Sequence, residues 1–138
     1  MKAKVICSFF GTGKTYINKN YPNFIDFEVH YFGNRLDLLV KAIKDASNVY
    51  GYNVLVACTK PIIELLKENN IDFVAVLPDK EQKEEYMERY RNRNSNPEVI
   101  KGLEQEFDNY IDGVMSCDCY KIILEKGQYL NDVIGDIV

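Results

Sequence analysis

The amino-acid sequence predicts an α/β protein in which a five-stranded parallel sheet carries helices on both faces. Three observations support this fold: short apolar runs recur five times, segments with helical periodicity separate them, and 46% of the 138 residues are hydrophobic. Strands that alternate with helices along a chain form parallel sheets, because each connection must return to the same end of the sheet. The length suits one domain, so we expect residues 1–138 to form a single unit.

The predicted strands are short apolar runs bounded by polar or turn-forming residues. Consecutive apolar residues, as in VLVACT and FVAVL, indicate strands that are covered on both faces. In chain order the five runs are residues 4–8, 24–27, 54–59, 73–77 and 120–124.

The predicted helices lie between these runs, and turn-forming residues mark several of their ends. Apolar residues recur every three or four positions over 35–50, and Gly51 follows as a C-cap would. Pro61 and Pro97 suit the first turn of a helix, and Asn96 suits an N-cap. In chain order the helices are 13–20, 35–50, 61–69, 79–93, one that follows Asn96 and carries an apolar stripe over 100–114, and a last turn within 129–134.

Charge, hydropathy and cysteine content argue against several classes of protein. The net charge of −4 argues against a nucleic-acid partner, since neutralising phosphates requires a basic face. The apolar runs are far shorter than the about 20 residues of a membrane-spanning helix, and the N-terminal segment lacks a signal-peptide cleavage site. We therefore expect a cytoplasmic protein with no membrane partner, in the host cytoplasm if a phage encodes it. Cys117 and Cys119 have no second cysteine pair or histidine nearby in sequence, so we expect reduced thiols there rather than a zinc site.

The segment SFFGTGKT, residues 8–15, joins the first strand to the first helix. It matches the phosphate-loop motif G-x-x-x-x-G-K-[ST], except that Ser8 stands where the first glycine is expected. Glycines let backbone amides approach an anion closely, and the start of a helix adds partial positive charge. Lys14 is predicted to bridge the β and γ phosphates, and the Thr15 hydroxyl to hold Mg²⁺. The predicted nucleotide-binding residues are Phe10, Gly11, Thr12, Gly13, Lys14, Thr15 and Tyr16; the alternative is a plain glycine turn with an exposed lysine.

Asp26 ends the second predicted strand at the same edge of the sheet as this loop, and Glu28 follows two residues later. A carboxylate at this place can orient Mg²⁺-bound water or accept a proton from a substrate hydroxyl. Asp26 is therefore a candidate catalytic and metal-binding residue, and the alternative is a solvated acid at a strand end. The sequence lacks an apolar run that closes on Asp-Glu, which disfavours a motor-type ATPase.

Residues 78–94 read PDKEQKEEYMERYRNRN and predict a charged helix with two different faces. In a helical projection Arg89 and Arg93 share the side of two tyrosines. The opposite side carries Glu81, Glu84, Glu88 and Arg91. An inward arginine needs an anion, because an unpaired buried guanidinium is costly. A polyphosphate held by the loop would supply that anion, and internal salt bridges are the alternative.

VICSFFGTGKT and LPDKEQKEEYMERYRNR together resemble the small P-loop kinases of nucleotides and similar metabolites. The likeness is to short phage and bacterial proteins described as ATP-binding or nucleoside monophosphate kinase-like, and it covers nearly the whole chain. The resemblance implies a three-layer P-loop NTPase fold with the strand order 2-3-1-4-5. It also implies a short lid helix at about 79–96 whose Arg89 and Arg93 close over the phosphates, and an acceptor site within 28–36.

The sequence thus predicts ATP- and Mg²⁺-dependent phosphoryl transfer to a small acceptor, with a (deoxy)nucleoside monophosphate favoured. The expected catalytic residues are Lys14, Asp26, Arg89 and Arg93, and the expected metal-binding residues are Thr15 and Asp26. Two alternatives stay open: a kinase of another small metabolite, and a nucleotide-binding module with little turnover. His30 is expected to be a surface loop residue.

Overall fold

The computed structural model describes residues 3–93 and 96–138, and its centre is a five-stranded sheet. The strands are β1 (Val5–Ser8), β2 (Phe24–Asp26), β3 (Asn53–Ala57), β4 (Val74–Pro78) and β5 (Lys121–Leu124). They lie in the order β2-β3-β1-β4-β5, and each neighbouring pair is parallel. The predicted parallel sheet and its strand order are confirmed.

The α-helices are α1 (Lys14–Asn20), α2 (Leu36–Lys44), α3 (Lys60–Glu68), α4 (Lys83–Arg93), α5 (Pro97–Met115) and α6 (Leu130–Val133). A wider π-helical turn, Asp45–Val49, continues α2, so the predicted helix at 35–50 is one helical segment with a widened end. Short 3₁₀ turns form at Val29–Phe32, Lys80–Gln82 and Ile134–Asp136. In the part of the chain that the structure describes, no helix is both long and apolar enough to cross a membrane.

The helix that carries the candidate arginines begins differently from the prediction. Asp79 caps a 3₁₀ turn by accepting a hydrogen bond from the Glu81 N–H (3.0 Å), and the α-helix starts only at Lys83. The next helix begins as predicted, with the Asn96 side chain accepting from the Glu98 N–H (3.0 Å). The end of the predicted lid, at residues 94 and 95, lies outside the described residues.

The sheet separates two hydrophobic layers, because successive strand side chains point to opposite faces. Cys7 of β1 belongs to the layer shared with α2, α3, α4 and α5, in which Leu39 and Phe107 are buried. Ile6, its neighbour in sequence, belongs to the other layer with Ile17 of α1 and the C-terminal helical turns. The helices therefore cover both faces. All five strands end at one edge of the sheet, which is where parallel α/β proteins place ligands.

We expect Phe107→Ala to lower the free energy of unfolding by about 3–5 kcal/mol, the cost of removing a buried aromatic ring. Phe107 is 1% exposed, and its ring centroid lies 5.6 Å from that of Phe9 and 6.1 Å from that of Tyr86. Urea denaturation measures the change. Val99→Ala, an exposed position on the same helix, is the control, and equal losses in the two variants would contradict this account of the core.

Candidate functional site

The loop between β1 and α1 is a tight turn held from inside by its own polar groups. The Phe9 N–H donates to the Val76 carbonyl of β4 (2.9 Å). Thr12 donates to the Phe9 carbonyl through its backbone N–H (3.3 Å) and its hydroxyl (2.7 Å). The Ser8 hydroxyl is hydrogen-bonded to the Thr12 hydroxyl, and both side chains are fully buried. Ser8, the departure from the motif, therefore stabilises the shape of the loop.

Both glycines of the loop have a left-handed backbone, with φ of 84° at Gly11 and 99° at Gly13. A Cβ atom on Gly11 would lie 2.8 Å from Cε1 of the Tyr90 ring, which is closer than van der Waals contact allows. Glycine is therefore required at position 11 both by its φ and by the approach of α4. The sequence predicted Gly11 as a place where a phosphate approaches; in this conformation a tyrosine ring approaches it.

Lys14 is brought against the acids that follow β2. Its Nζ lies 3.9 Å from Oδ1 of Asp26 and 3.8 Å from Oε1 of Glu28. These groups meet because β1 and β2 run in the same direction on either side of β3 and end at the same edge. The structure thus brings together the predicted Lys14 and Asp26 and adds Glu28 to them.

Asp26 is held in a setting that disfavours its charge. Burial raises the pKa of Asp26 above its ordinary value; Lys14 opposes this shift and the neighbouring Glu28 adds to it. Its Oδ1 atom is buried and has no hydrogen-bond partner among residues 3–93 and 96–138. A buried acceptor left unpaired costs stability, and perturbed carboxylates of this kind are concentrated at functional sites.

The remaining predicted ligand residues divide into two groups. Thr15 and Tyr16 are exposed at the start of α1, so their side chains can contact a ligand at this edge of the sheet. The Phe10 ring instead packs on Tyr110, with centroids 5.5 Å apart. The Phe10 carbonyl accepts a hydrogen bond from the Tyr90 hydroxyl (3.0 Å), so Phe10 joins the loop to α4.

Arg89 is buried, and its partners lie within the protein, which is the alternative to a bound polyphosphate that the sequence left open. Its guanidinium donates to the carbonyls of Gly11 (2.9 Å) and Gln128 (3.1 Å). It also forms an ion pair with Glu85, at 3.6 Å, one helical turn earlier. Its Nε atom is buried and unpaired among the described residues.

Two tyrosine rings enclose the same guanidinium. Its central carbon lies 3.8 Å from the ring centroid of Tyr129 and 4.3 Å from that of Tyr86. Cations over tyrosine faces are stabilised by the ring quadrupole, most strongly where water is excluded. Arg89 therefore ties α4 to the loop on one side and to the segment after β5 on the other.

The prediction that Arg93 faces inward is wrong, because its side chain is exposed. Arg93 is the last residue of α4, and the contacts of α4 with the loop are made by Arg89 and Tyr90, nearly a turn earlier. A helical projection gives only the angle of a position around the helix, and it does not show whether neighbouring segments cover that position; Arg93 is left exposed.

A cavity of about 330 Å³ beside the loop includes residues that the sequence analysis missed. It is lined by Gly13, Tyr16, Tyr129, Asn131 and Asp132. The exposed rings of Tyr16 and Tyr129 stand at its mouth, with 54% and 44% of each residue exposed. The segment after β5, which carries Tyr129, is fixed to the loop by the Leu130 N–H, which donates to the Thr12 carbonyl (2.8 Å). In the sequence, the only sign that this segment lies near the loop was its position after the last strand, since the chain leaves a parallel strand at the carboxyl edge of the sheet.

The other candidate positions lie apart from this cavity. The predicted acceptor segment, 28–36, includes the 3₁₀ turn Val29–Phe32 after β2, in which the exposed His30 packs edge-on against Tyr31 with ring centroids 4.7 Å apart. The four cysteines are unpaired thiols, and burial raises the pKa of Cys58 to about 12. Within the described ranges, no cluster of three or more histidine, cysteine or acidic residues could hold a metal ion.

Comparisons with known proteins bear on the fold. No protein-family model matches the sequence, and no curated protein matches it. A solved structure of an uncharacterized protein from Eubacterium ventriosum is similar, with a TM-score of 0.50 and 15% sequence identity over 96% of this chain and 94% of that one. The likeness is one of fold alone.

Asp26→Asn should raise the free energy of unfolding at neutral pH. Because the folded-state pKa of Asp26 is raised, its carboxyl stabilises the fold fully only below the ordinary value of 3.8, and this contribution is lost as the pH rises through the folded-state pKa. The advantage of the amide should therefore be present at about pH 7 and absent at about pH 3, as measured by urea denaturation.

Asp37→Asn is the control for this experiment, because the pKa of Asp37 is shifted in the opposite direction. A hydrogen bond from Arg35 lowers the pKa of Asp37, which is fully exposed, so its amide should bring no gain at neutral pH. If Asp26→Asn were also without gain at neutral pH, Lys14 would outweigh the burial of Asp26.

Arg89→Met should lower the free energy of unfolding by roughly 2–4 kcal/mol, since each hydrogen bond to a charged group contributes about 1.5–3 kcal/mol. Arg91→Met and Arg93→Met, at exposed positions of the same helix, should each change it by less than about 0.5 kcal/mol. Urea denaturation of the three variants tests this, and a loss shared equally by all three would show that Arg89 does not hold the loop.

Proposed function

We propose that this chain catalyses ATP- and Mg²⁺-dependent transfer of a phosphoryl group to a small acceptor, with a (deoxy)nucleoside monophosphate as the favoured acceptor. The observation that carries the proposal is the placement of Lys14, whose ammonium group lies beside two carboxylates at the end of a loop with two left-handed glycines. The proposal includes the P-loop NTPase fold, which the loop motif and the strand order support.

The donor nucleotide would lie along the loop and the cavity beside it. Lys14 would pair with the phosphates, as a lysine at this place in the motif does. Tyr16 and Tyr129 flank a cavity that begins at Gly13, so a planar base there would be continuous with phosphates at the loop. Stacking of a base on an aromatic ring contributes about 1–3 kcal/mol.

The residues around Lys14 fit Mg²⁺. They offer oxygen atoms only, from the carboxylates of Asp26 and Glu28 and the hydroxyl of Thr15, and Oδ1 of Asp26 accepts no hydrogen bond from the described part of the chain. In nucleotide sites Mg²⁺ takes one or two carboxylates together with waters and phosphates, so a cage of protein acids is not required. Thr15 and Asp26 would hold the ion, whose charge offsets that of the polyphosphate.

Transfer breaks the bond between the γ phosphorus and the bridging oxygen of ATP and forms a bond to an acceptor oxygen, which releases ADP. Lys14 would neutralise charge that develops on the phosphoryl oxygens. Asp26 would orient the acceptor oxygen. Where that oxygen belongs to a hydroxyl, Asp26 would also accept its proton, which the raised pKa of Asp26 favours, whereas the phosphate oxygen of a nucleoside monophosphate is already ionised. Segment 28–36 lies next to Asp26 and would bind the acceptor.

The two arginines have different places in this proposal. Arg89 would act through the loop, because its guanidinium donates to the Gly11 carbonyl and is enclosed by protein. Arg93 is exposed and would reach the transferring group only from a different position of α4.

A nucleotide-binding module with little turnover is the second candidate, and one observation favours it. The hydrogen bonds of Arg89 and Tyr90 to loop carbonyls pack α4 on the loop in this conformation. A helix held in this way serves to shape a binding site, whereas a lid must open and close during turnover.

Lys14→Ala should fold and lose phosphoryl transfer by about 10²–10³ in rate, the usual cost of removing one preorganised charge from a developing anion. The assay measures ADP formation from ATP and Mg²⁺ with a panel of nucleoside monophosphates, nucleosides and sugars. Lys19→Ala, an exposed position of the same helix, is the matched control and should retain activity.

The same assay separates the proposals. ADP formation that depends on one acceptor and on Lys14 supports a kinase, and the acceptor identifies its class. ATP binding that requires Lys14, with no acceptor raising turnover, supports the binding module. ATP binding that is unchanged in Lys14→Ala would remove the phosphate-loop assignment.

A further inference from the structure

A second cavity, of about 490 Å³, lies between the start of α4 and the end of β5 and shares no lining residue with the cavity beside the loop. Its walls carry five carboxylates: Asp79, Glu81, Glu84, Glu85 and Glu125. Glu85 is the one paired with Arg89. In residues 3–93 and 96–138 the other four form no ion pair within 4.0 Å. Lys126 also lines the cavity, so its walls keep a net negative charge.

One buried side-chain amide on the wall of this cavity has an oxygen atom that accepts no hydrogen bond from the described residues. Gln82 is only 8% exposed, and its Nε2 donates to the Leu124 carbonyl at the end of β5 (2.6 Å). That bond fixes the orientation of the amide, since only the nitrogen can donate. The Oε1 atom is then left buried, with no partner among the described residues. Because Gln82 also lines the cavity, an N–H donor that enters it and reaches this covered atom would satisfy it.

The arrangement selects against a metal ion and in favour of an extended organic cation. No group of three or more acids, histidines or cysteines among the described residues is close enough to hold a metal, so the carboxylates are spread over the walls. A ligand that meets several of them must carry several separated charges. The lining also includes Leu124 and the exposed Ile123, and the apolar surface of Ile123 suits methylene groups.

The geometry points to a binding site for a linear aliphatic polyamine between α4 and β5. Its ammonium groups pair with the carboxylates of Glu81, Glu84 and their neighbours, its methylenes lie on that apolar surface, and one N–H donates to Oε1 of Gln82. The site does not depend on the proposed phosphoryl transfer, because it shares no lining residue with the cavity that would take the nucleotide.

Isothermal titration calorimetry with spermidine tests the site, in about 0.1 M salt so that distant charges are screened. The double variant Glu81→Gln/Glu84→Gln should bind spermidine about tenfold more weakly, since each exposed ion pair contributes only a few-fold. Lys126→Gln should bind it about two- to fourfold more tightly, because the variant removes a repelled cation from the wall. Gln82→Leu should weaken binding while leaving every carboxylate in place.

Glu64→Gln/Glu68→Gln on α3 is the matched control, since it removes the same charge from exposed positions that do not line the cavity. Its spermidine affinity should stay within about twofold of the unaltered chain. An equal loss in this control would show that spermidine responds to net charge alone and would overturn the site.

Two competition experiments complete the test. Displacement of spermidine by an equal concentration of Mg²⁺ would overturn the site in favour of diffuse cation binding. Tighter binding of a lysine tetrapeptide than of spermidine would also overturn it, by assigning the acidic walls to a basic segment of a protein partner.

Discussion

The buried guanidinium of Arg89 fixes three parts of the chain to one another at the carboxyl edge of the sheet. A charge at this depth is destabilising unless it is paired, and here two carbonyls, Glu85 and two tyrosine faces supply partners for all of the guanidinium except its Nε atom. The carbonyls belong to the loop after β1 and the segment after β5, which lie far apart in the sequence. The cavity lined by Gly13 and Tyr129 therefore depends on α4, which bonds to both segments, and on the Leu130 N–H, which joins the two segments directly.

The same packing explains why the loop has its composition. Gly11 has no side chain because Tyr90 occupies the space where one would lie, and Ser8 and Thr12 are bonded to each other inside the turn. These residues would be needed whether or not a phosphate binds, so the motif by itself does not separate a structural loop from a functional one. Lys14 and Asp26 stand outside this packing: their charged groups lie 3.9 Å apart, and Oδ1 of Asp26 accepts no hydrogen bond from the described residues.

The parts of the structure that could be predicted are those with a local periodic signal. Consecutive apolar residues revealed the strands, and a spacing of three to four residues revealed α2 and α5, whereas the strand order came from the resemblance. Periodicity also placed Arg89 on the inner side of its helix. It could not show that Arg93 is exposed, because where the covering surface ends depends on segments distant in sequence. Tyr129 was missed for the same reason, since its role follows from contacts with Arg89 and Gly13.

Charge is distributed unevenly along the carboxyl edge of the sheet. Glu85 contacts both regions, because it lines the acidic cavity near β5 and pairs with Arg89, which bonds to the loop. On the β2 side, Lys14 would offer a cation to the polyphosphate of the proposed function. On the β5 side, the acids around Gln82 would repel a polyphosphate, so the charges favour an anionic ligand at the loop over one at this end. Glu85 lines the acidic cavity, pairs with Arg89 and accepts a hydrogen bond from the Gly127 N–H (3.4 Å). One carboxylate thus adds to the negative charge of the acidic cavity and also holds the buried guanidinium of Arg89.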